Sequence, residues 1–287
     1  MINVLIALTI IGIMFAMGLE LSMKDFARVI ELPRAVVVGL LSQLVLLPAL
    51  SFLLAWAIDA PPEVAAGMVI LAACPGGPPS NVLSYLAGAH IALSVTLTAL
   101  SSVLTVVSLP LVVNLGLATF YDGPAQVRLP VLTTLAQLTV ISILPIAAGI
   151  WVRARWSAHV ERVQEQIKRL SLAGFTLAAV IIIYETWDEM VVYLPAAALA
   201  SALLCWAGLA AGYAAAWTAG LDARDRFTIG LETGVQNIAL ASLVVMTQLE
   251  RPELIPVPST YAIVSFPSIF FAAAVYAFVT KRRSASE

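Results

Sequence analysis

"ILAACPGGPPSNVLSYLAG", residues 70–88, carries Pro75, Gly76, Gly77, Pro78 and Pro79 in a row inside an otherwise apolar stretch. Proline lacks a backbone N–H and clashes with the preceding turn, so no continuous helix survives this run. One Pro or Gly alone would read as a kink. Five together, followed at once by Ser80 and Asn81, read as a helix broken partway along its length. What the break means depends on the solvent. Hydrophobic residues make up 61% of the 287 and charged residues 11%, against about 25% charged in an ordinary soluble domain, so the chain cannot cover itself in water. Its solvent is a bilayer. There, irregular backbone is tolerated only where protein or a water-filled cavity satisfies its N–H and C=O groups, and such breaks in transporters mark the binding site.

A span needs roughly 20 mainly apolar residues to cross about 30 Å of hydrocarbon. Working outward from the break, nine such stretches appear, at about 2–19, 35–57, 63–88, 90–118, 127–150, 170–187, 190–217, 227–249 and 257–279. The first lacks the basic n-region and small-residue cleavage site of a signal peptide, so it reads as a retained helix. Numbering the loops alternately puts Lys24, Arg28, Arg34, Arg153, Arg155, Arg162, Lys168, Arg169, Arg224, Arg226, Lys281, Arg282 and Arg283 on one side, and only Arg128 and Arg251 on the other. Basic residues accumulate on the cytoplasmic side, so the C-terminus is expected inside and the N-terminus outside. Losing or adding one interior span would scramble that partition. The outer loops carry Asp59, Glu63, Asp122, Glu185, Asp188, Glu189, Glu250 and Glu253, and nucleic acid is not a plausible partner. Residues 151–170 place apolar side chains at helical spacing among basic ones, which suits a helix lying on the cytoplasmic interface or a solvated extension of the next span.

A second interruption lies in "GLETGVQNIALASLVV", residues 230–245, where Glu232 stands beside Thr233, Gln236 and Asn237. The breaks fall in the third and eighth spans, which run in opposite directions. Paired interruptions in antiparallel spans are the mark of an inverted repeat. The expected seam is the outer loop 119–128, giving a first repeat over 1–118, a second over 127–280 and a cytoplasmic tail over 281–287. The halves hold four and five spans, as if one helix of an ancestral five were missing at the N-terminus.

A charged carboxylate in hydrocarbon costs at least about 2.5–3.5 kcal/mol and needs a partner, yet no Lys or Arg lies within a span away from its ends. The partner must then come from outside the chain, as a proton or a metal cation. Ser, Thr, Asn and Gln side chains with freed backbone carbonyls are hard oxygen donors that suit an alkali cation, not a transition metal. Sodium fits; proton coupling stays open. Cys74 and Cys205 sit alone in apolar spans, and His90 at a turn and His159 on the amphipathic segment offer no evident chemistry. An intramembrane aspartyl protease needs two Asp in spans, where this chain has none, and neither histidine is placed to serve a serine nucleophile.

"IGIMFAMGLELSMKDF" (11–26), "CPGGPPSNVLSYLAGAHIALSVTLTALSS" (74–102) and "ETGVQNIALA" (232–241) together resemble the bile acid:sodium symporter family, over nearly the whole chain. The resemblance implies a panel of helices beside a core of six, in which two broken helices cross at the bilayer centre, and a nine-span variant that starts where the second span of ten-span members begins. It implies a symporter that imports an organic anion by alternating access, with two sodium ions and no other cofactor. One sodium site would be Ser80, Asn81, Ser94, Thr98 and Glu232; the other Gln43, Glu232, Gln236 and the carbonyls of Thr233 and Val235. Ser94 and Thr98 share one helical face, as joint ligation requires. Substrate contacts would fall on Pro78, Pro79, Ser80, Asn81, Asn237 and Phe266. Pro78, Pro79 and the Phe266–Pro267 pair depart from relatives that carry polar or small residues there, which puts a small carboxylate at least level with a bile-acid-like anion. A proton-coupled carrier or facilitator on the same crossed-helix plan is the alternative. With no N-x-S/T sequon and almost no tail, a bacterial inner membrane is the expected location.

Overall fold

The computed structural model describes residues 2–22, 30–77, 79–121 and 127–284, and these are almost wholly helical. In chain order the elements are α1 (Ile2–Glu20), α2 (Pro33–Ala57), α3 (Pro62–Ala72), α4 (Pro79–Ala87), α5 (Ile91–Phe120), α6 (Val131–Arg155), α7 (Ser157–Glu185), α8 (Trp187–Thr218), α9 (Ala223–Gly234), α10 (Ile238–Leu249) and α11 (Pro256–Ser284). Helices α2, α5, α6, α8 and the segment Pro252–Phe278 are long and apolar enough to cross a membrane. Shorter apolar helices cover Ala7–Glu20, Pro62–Ala72 and Ile238–Leu249. Large apolar side chains face outward, with Leu132 82% and Val192 70% exposed, while Gln43, Ser80, Ser94, Thr98 and Glu232 are buried. Apolar outside and polar inside is the distribution a bilayer selects. The chain is an all-α integral membrane protein.

Each expected stretch lies on a helix or on one of two helix pairs, α3–α4 and α9–α10, divided where the Pro/Gly run and the Glu232 stretch sit. The amphipathic segment is a continuous extension of the following span. Trp156, at φ −135° and ψ 48°, ends α6, and one helix then runs from Ser157 to Glu185. Glu, Gln, Lys and Arg are good helix formers, so charge lowers hydropathy there without breaking the helix. Helix α11 likewise runs to Ser284, into the stretch expected as a tail.

The helices pack in two groups that also touch each other, α1 meeting α10 and α5 meeting α6. α1 lies along α6 and α7, while α2, α3–α4, α5, α8, α9–α10 and α11 pack among themselves, with α8 against α9 the most extensive pairing. Gly208 and Gly230 allow that approach: a Cβ on Gly208 would fall 2.9 Å from Thr233 O, and one on Gly230 the same distance from Leu209 O. Backbone-to-backbone seating of this kind fixes α9 without polar side chains. Within α2 the helix widens to π geometry over Ser42–Leu46, where Leu47 N–H reaches back to Ser42 O. Pro48 follows directly. Its ring crowds the preceding turn, and a wider turn relieves that clash while displacing Gln43 toward the interior.

Candidate functional site

At the first break the chain leaves the helix over Pro75 to Gly77; at the second it does so over Val235 to Asn237. These two stretches lie antiparallel and pair as an isolated β-bridge between Gly76 and Gln236. Gly77 N–H donates to Val235 O (2.8 Å) and Asn237 N–H to Pro75 O (3.0 Å). Each break thus satisfies backbone groups freed by the other, which unpaired would cost several kcal/mol apiece in a water-free interior. The helix ends are closed as well. Asn237 Oδ1 accepts from Leu240 N–H (3.0 Å) and caps α10, while Gly234 O at the end of α9 accepts from Tyr261 Oη (2.6 Å). On the first break's side of the bridge a side chain would be crowded. A Cβ on Gly76 would stand 2.7 Å from Glu232 Oε2, and one on Gly77 2.8 Å from Gln236 O.

Glu232, 0% exposed, lies beside the bridge with four side chains donating to its carboxylate. Oε1 accepts from Ser80 Oγ (2.5 Å) and from Ser94 Oγ; Oε2 accepts from Thr98 Oγ1 (2.9 Å) and Gln43 Nε2 (3.2 Å). Asn81 Oδ1 is shared by Ser94 Oγ (2.9 Å) and Thr98 Oγ1 (3.3 Å). The hydroxyls of Ser80, Ser94 and Thr98 carry one proton each. Within their reach lie Gly77 O, Ser94 O, Asn81 Oδ1 and both Glu232 oxygens. Five oxygens thus crowd three hydroxyls, a set of hard oxygen donors that suits an alkali cation.

All five residues expected at the first sodium site converge here. Of the second set, Gln43 and Glu232 are in contact, Thr233 O accepts from Gln236 Nε2 (2.9 Å), and Val235 O is engaged by the bridge. Gln43 Oε1 and Gln236 Oε1 are buried without a hydrogen-bond partner. Buried amide oxygens left unpaired are rare in native interiors, and two of them, one on the Gln43 that donates to Glu232 and one on the bridge residue Gln236, match the donor set of a hard cation. Of the expected substrate residues, Ser80 and Asn81 belong to this cluster, Asn237 caps α10 with its Nδ2 unpaired, and Pro79 opens α4. Phe266 is half-buried on α11, which packs on α4. Pro78 lies outside the described residues.

Residues 7–192 match the Sodium Bile acid symporter family. The chain belongs to this family. Family membership makes it a member of a group of sodium-coupled membrane transporters, and this membership sets the intramembrane enzyme aside. A protein named probable chloroplastic sodium/metabolite cotransporter, from Arabidopsis thaliana, is 29% identical over 85% of this chain and 60% of its own length. An uncharacterized sodium-dependent transporter of Bacillus subtilis is 27% identical over 85% of this chain and 74% of its own length. The ileal sodium/bile acid cotransporter of Homo sapiens is 30% identical over 90% of this chain and 75% of its own length.

Sequence reasoning passed over Tyr261, whose ring is buried and whose hydroxyl closes α9. Its only signal was an aromatic with a polar handle among Ser and Thr in "PSTYAIVS". It also left His90 without chemistry, whereas His90 Nδ1 lies 2.6 Å from Asp225 Oδ1. A first test concerns the bridge. Gly76→Ala forces the Glu232 carboxylate off its Thr98 and Gln43 partners, an overpacking cost of about 1–3 kcal/mol. The sodium concentration giving half-maximal thermal stabilisation of the purified protein should rise by roughly tenfold. Gly174→Ala, whose Cβ would meet Thr9 Oγ1 at an ordinary 3.4 Å, should leave it unchanged.

Proposed function

We propose that the chain is a sodium-coupled symporter that imports an organic anion by alternating access, with two sodium ions per substrate. The observation that carries this reading is the Glu232 cluster: a buried carboxylate among converging oxygen donors, with two orphaned amide oxygens, Gln43 Oε1 and Gln236 Oε1. Sodium would be held first by Ser80, Asn81, Ser94, Thr98 and Glu232, and second by Gln43, Gln236, Glu232 and the carbonyls of Thr233 and Val235. A proton on Glu232 neutralises the carboxylate but leaves both amide oxygens unpaired, so the cation accounts for more of the site than proton coupling does.

The rest of the architecture is assigned on the same footing. Nine spans, counting each broken pair as one, place the breaks at mid-membrane. α1, α6 and α7 would form the panel and the remaining elements the core, with repeats over 1–118 and 127–280. The substrate lies between panel and core beside Pro79, Asn81 and Asn237. α4 and α10 both begin at the breaks, so their N-terminal N–H groups and partial positive charge face an anion there without a basic side chain. A small carboxylate or a bile-acid-like anion suits that chemistry. The charge partition of the loops supports a cytoplasmic C-terminus, and the absence of an N-x-S/T sequon favours a bacterial inner membrane.

Replacing external sodium by choline at fixed pH tests the coupling. Uptake into proteoliposomes, with the anion chosen by a thermal-shift screen in sodium, should fall to background in choline. Uptake that persists in choline and follows the pH gradient would assign the coupling to protons instead.

A further inference from the structure

α4 and α9 lie side by side and antiparallel, pinned at both ends. At one end Ser80 meets Glu232. At the other, Arg224 Nε donates to Gly88 O (3.2 Å) and Arg224 Nη2 to Ala89 O (3.5 Å). Beside them the His90 backbone N–H donates to Thr228 Oγ1 (2.9 Å), and His90 Nδ1 pairs with Asp225 Oδ1 at 2.6 Å. Between these ends helical periodicity sets Ser84 one turn from Ser80 on the same face of α4, and Thr228 one turn from Glu232 on the same face of α9. A file of oxygen groups therefore runs from the Glu232 cluster through Ser84 and Thr228 to Asp225.

Ser84 is the unusual member of that file. It is 0% exposed, and its Oγ has no hydrogen-bond partner. Thr98, Ser102, Thr228 and Thr233 each return the hydroxyl to the carbonyl four residues earlier. The same bond is open to any helical serine, yet Ser84 does not make it and carries the desolvation cost of an unmade one. Its oxygen is free for a ligand.

We propose that Ser84, Thr228 and Asp225 line a cation route from Glu232 to the end of the molecule where α9 begins, and that the contacts of His90 and Arg224 are its closed gate. The proposal rests on the reading that the Glu232 cluster holds sodium; in the orientation assigned above the gate faces the cytoplasm. Every station offers oxygen, so an alkali cation exchanges one oxygen ligand for the next. Opening the gate releases two ligands together. Moving His90 away frees the Asp225 carboxylate, 7% exposed as it stands, and one lone pair of Thr228 Oγ1. The neighbouring charges leave that carboxylate available: the Arg224 guanidinium is held on carbonyls of residues 88 and 89, Arg226 Nε on Leu221 O, and Asp222 Oδ1 accepts the Asp225 N–H.

Thiol accessibility tests this without relying on transport. In a Cys74→Ala, Cys205→Ala background, Ser84→Cys is labelled with a cationic and a neutral methanethiosulfonate of similar size, each rate normalised to that with a free thiol. Adding His90→Ala should accelerate labelling at least about tenfold, the effect of removing the imidazole hydrogen bond to the Asp225 carboxylate while the backbone N–H of residue 90 remains. The cationic reagent should outrun the neutral one, and Asp225→Asn should erase that preference. Labelling indifferent to His90→Ala, or showing no charge preference that depends on Asp225, overturns the route. Should Ser84→Cys fail to fold, Thr228→Cys is read in the same way. The Glu232 assignment is tested separately by sodium titration of Glu232→Gln, so the site can stand where the route fails.

Discussion

Purified Glu232→Gln should fold and show no stabilisation by sodium at concentrations that stabilise the wild type. Glutamine keeps the length and branching of the side chain, so Ser80 and Ser94 retain an oxygen acceptor at the Oε1 position. What disappears is the formal charge at the centre of a neutral oxygen cage. Removing one partner of a buried charge pair costs about 3–5 kcal/mol, which weakens sodium binding by roughly two to three and a half orders of magnitude. In sodium titrations the wild type gains about 2.7 kcal/mol at one hundred times the dissociation constant, while the variant's melting curve stays flat. In choline the order reverses. There the wild type carries a buried carboxylate without its counter-charge, so Glu232→Gln should melt at least as high. Wild-type sodium affinity in the variant would remove Glu232 from both cation sets.

Local chemistry made the breaks and their carboxylate legible in the sequence. Pro75 to Pro79 cannot continue a helix in any context, and Glu232 among apolar residues needs a partner whatever surrounds it. The bridge that closes both breaks joins Gly76 to Gln236 across 160 positions of chain, and no local pattern announces a pairing of that range. The same holds for His90, which reads as a lone turn histidine until Asp225 is brought beside it. Gln43 is intermediate. A polar residue five positions before Pro48 hints at a displaced turn, but only the π geometry over Ser42–Leu46 aims it at Glu232. Helix ends were read less well where charge and helix propensity disagree. Residues 157–169 are too polar for a span yet rich in Glu, Gln, Lys and Arg, so hydropathy started the sixth span near 170 while the helix starts at Ser157. The glycines seating α8 on α9 were unreadable for a different reason: only a neighbouring backbone makes a missing side chain necessary.

Membrane voltage should drive accumulation. Two sodium ions entering with one monovalent anion move one net positive charge inward, and an inside-negative potential of 100 mV favours that step by about 2.3 kcal/mol, or roughly fifty-fold in the accumulation ratio. The donor sets motivate the proposed two-to-one ratio. Glu232 is the one carboxylate among the ligands, Ser80, Asn81, Ser94 and Thr98 gather on one side of it, and Gln43 with the orphaned amide oxygens supplies a separate set. A single sodium would neutralise the carboxylate and leave Gln43 Oε1 and Gln236 Oε1 unpaired; a second one uses them. The measurement is uptake into proteoliposomes at constant sodium, with an inside-negative potential set by a valinomycin-mediated potassium gradient. Uptake should accelerate and its plateau should rise with the imposed potential, and a Gln43→Ala, Gln236→Ala double variant should lose that response before it loses sodium dependence. Uptake indifferent to the potential would fit one sodium per monovalent anion, or a divalent substrate, and would withdraw the second set of donors from cation binding.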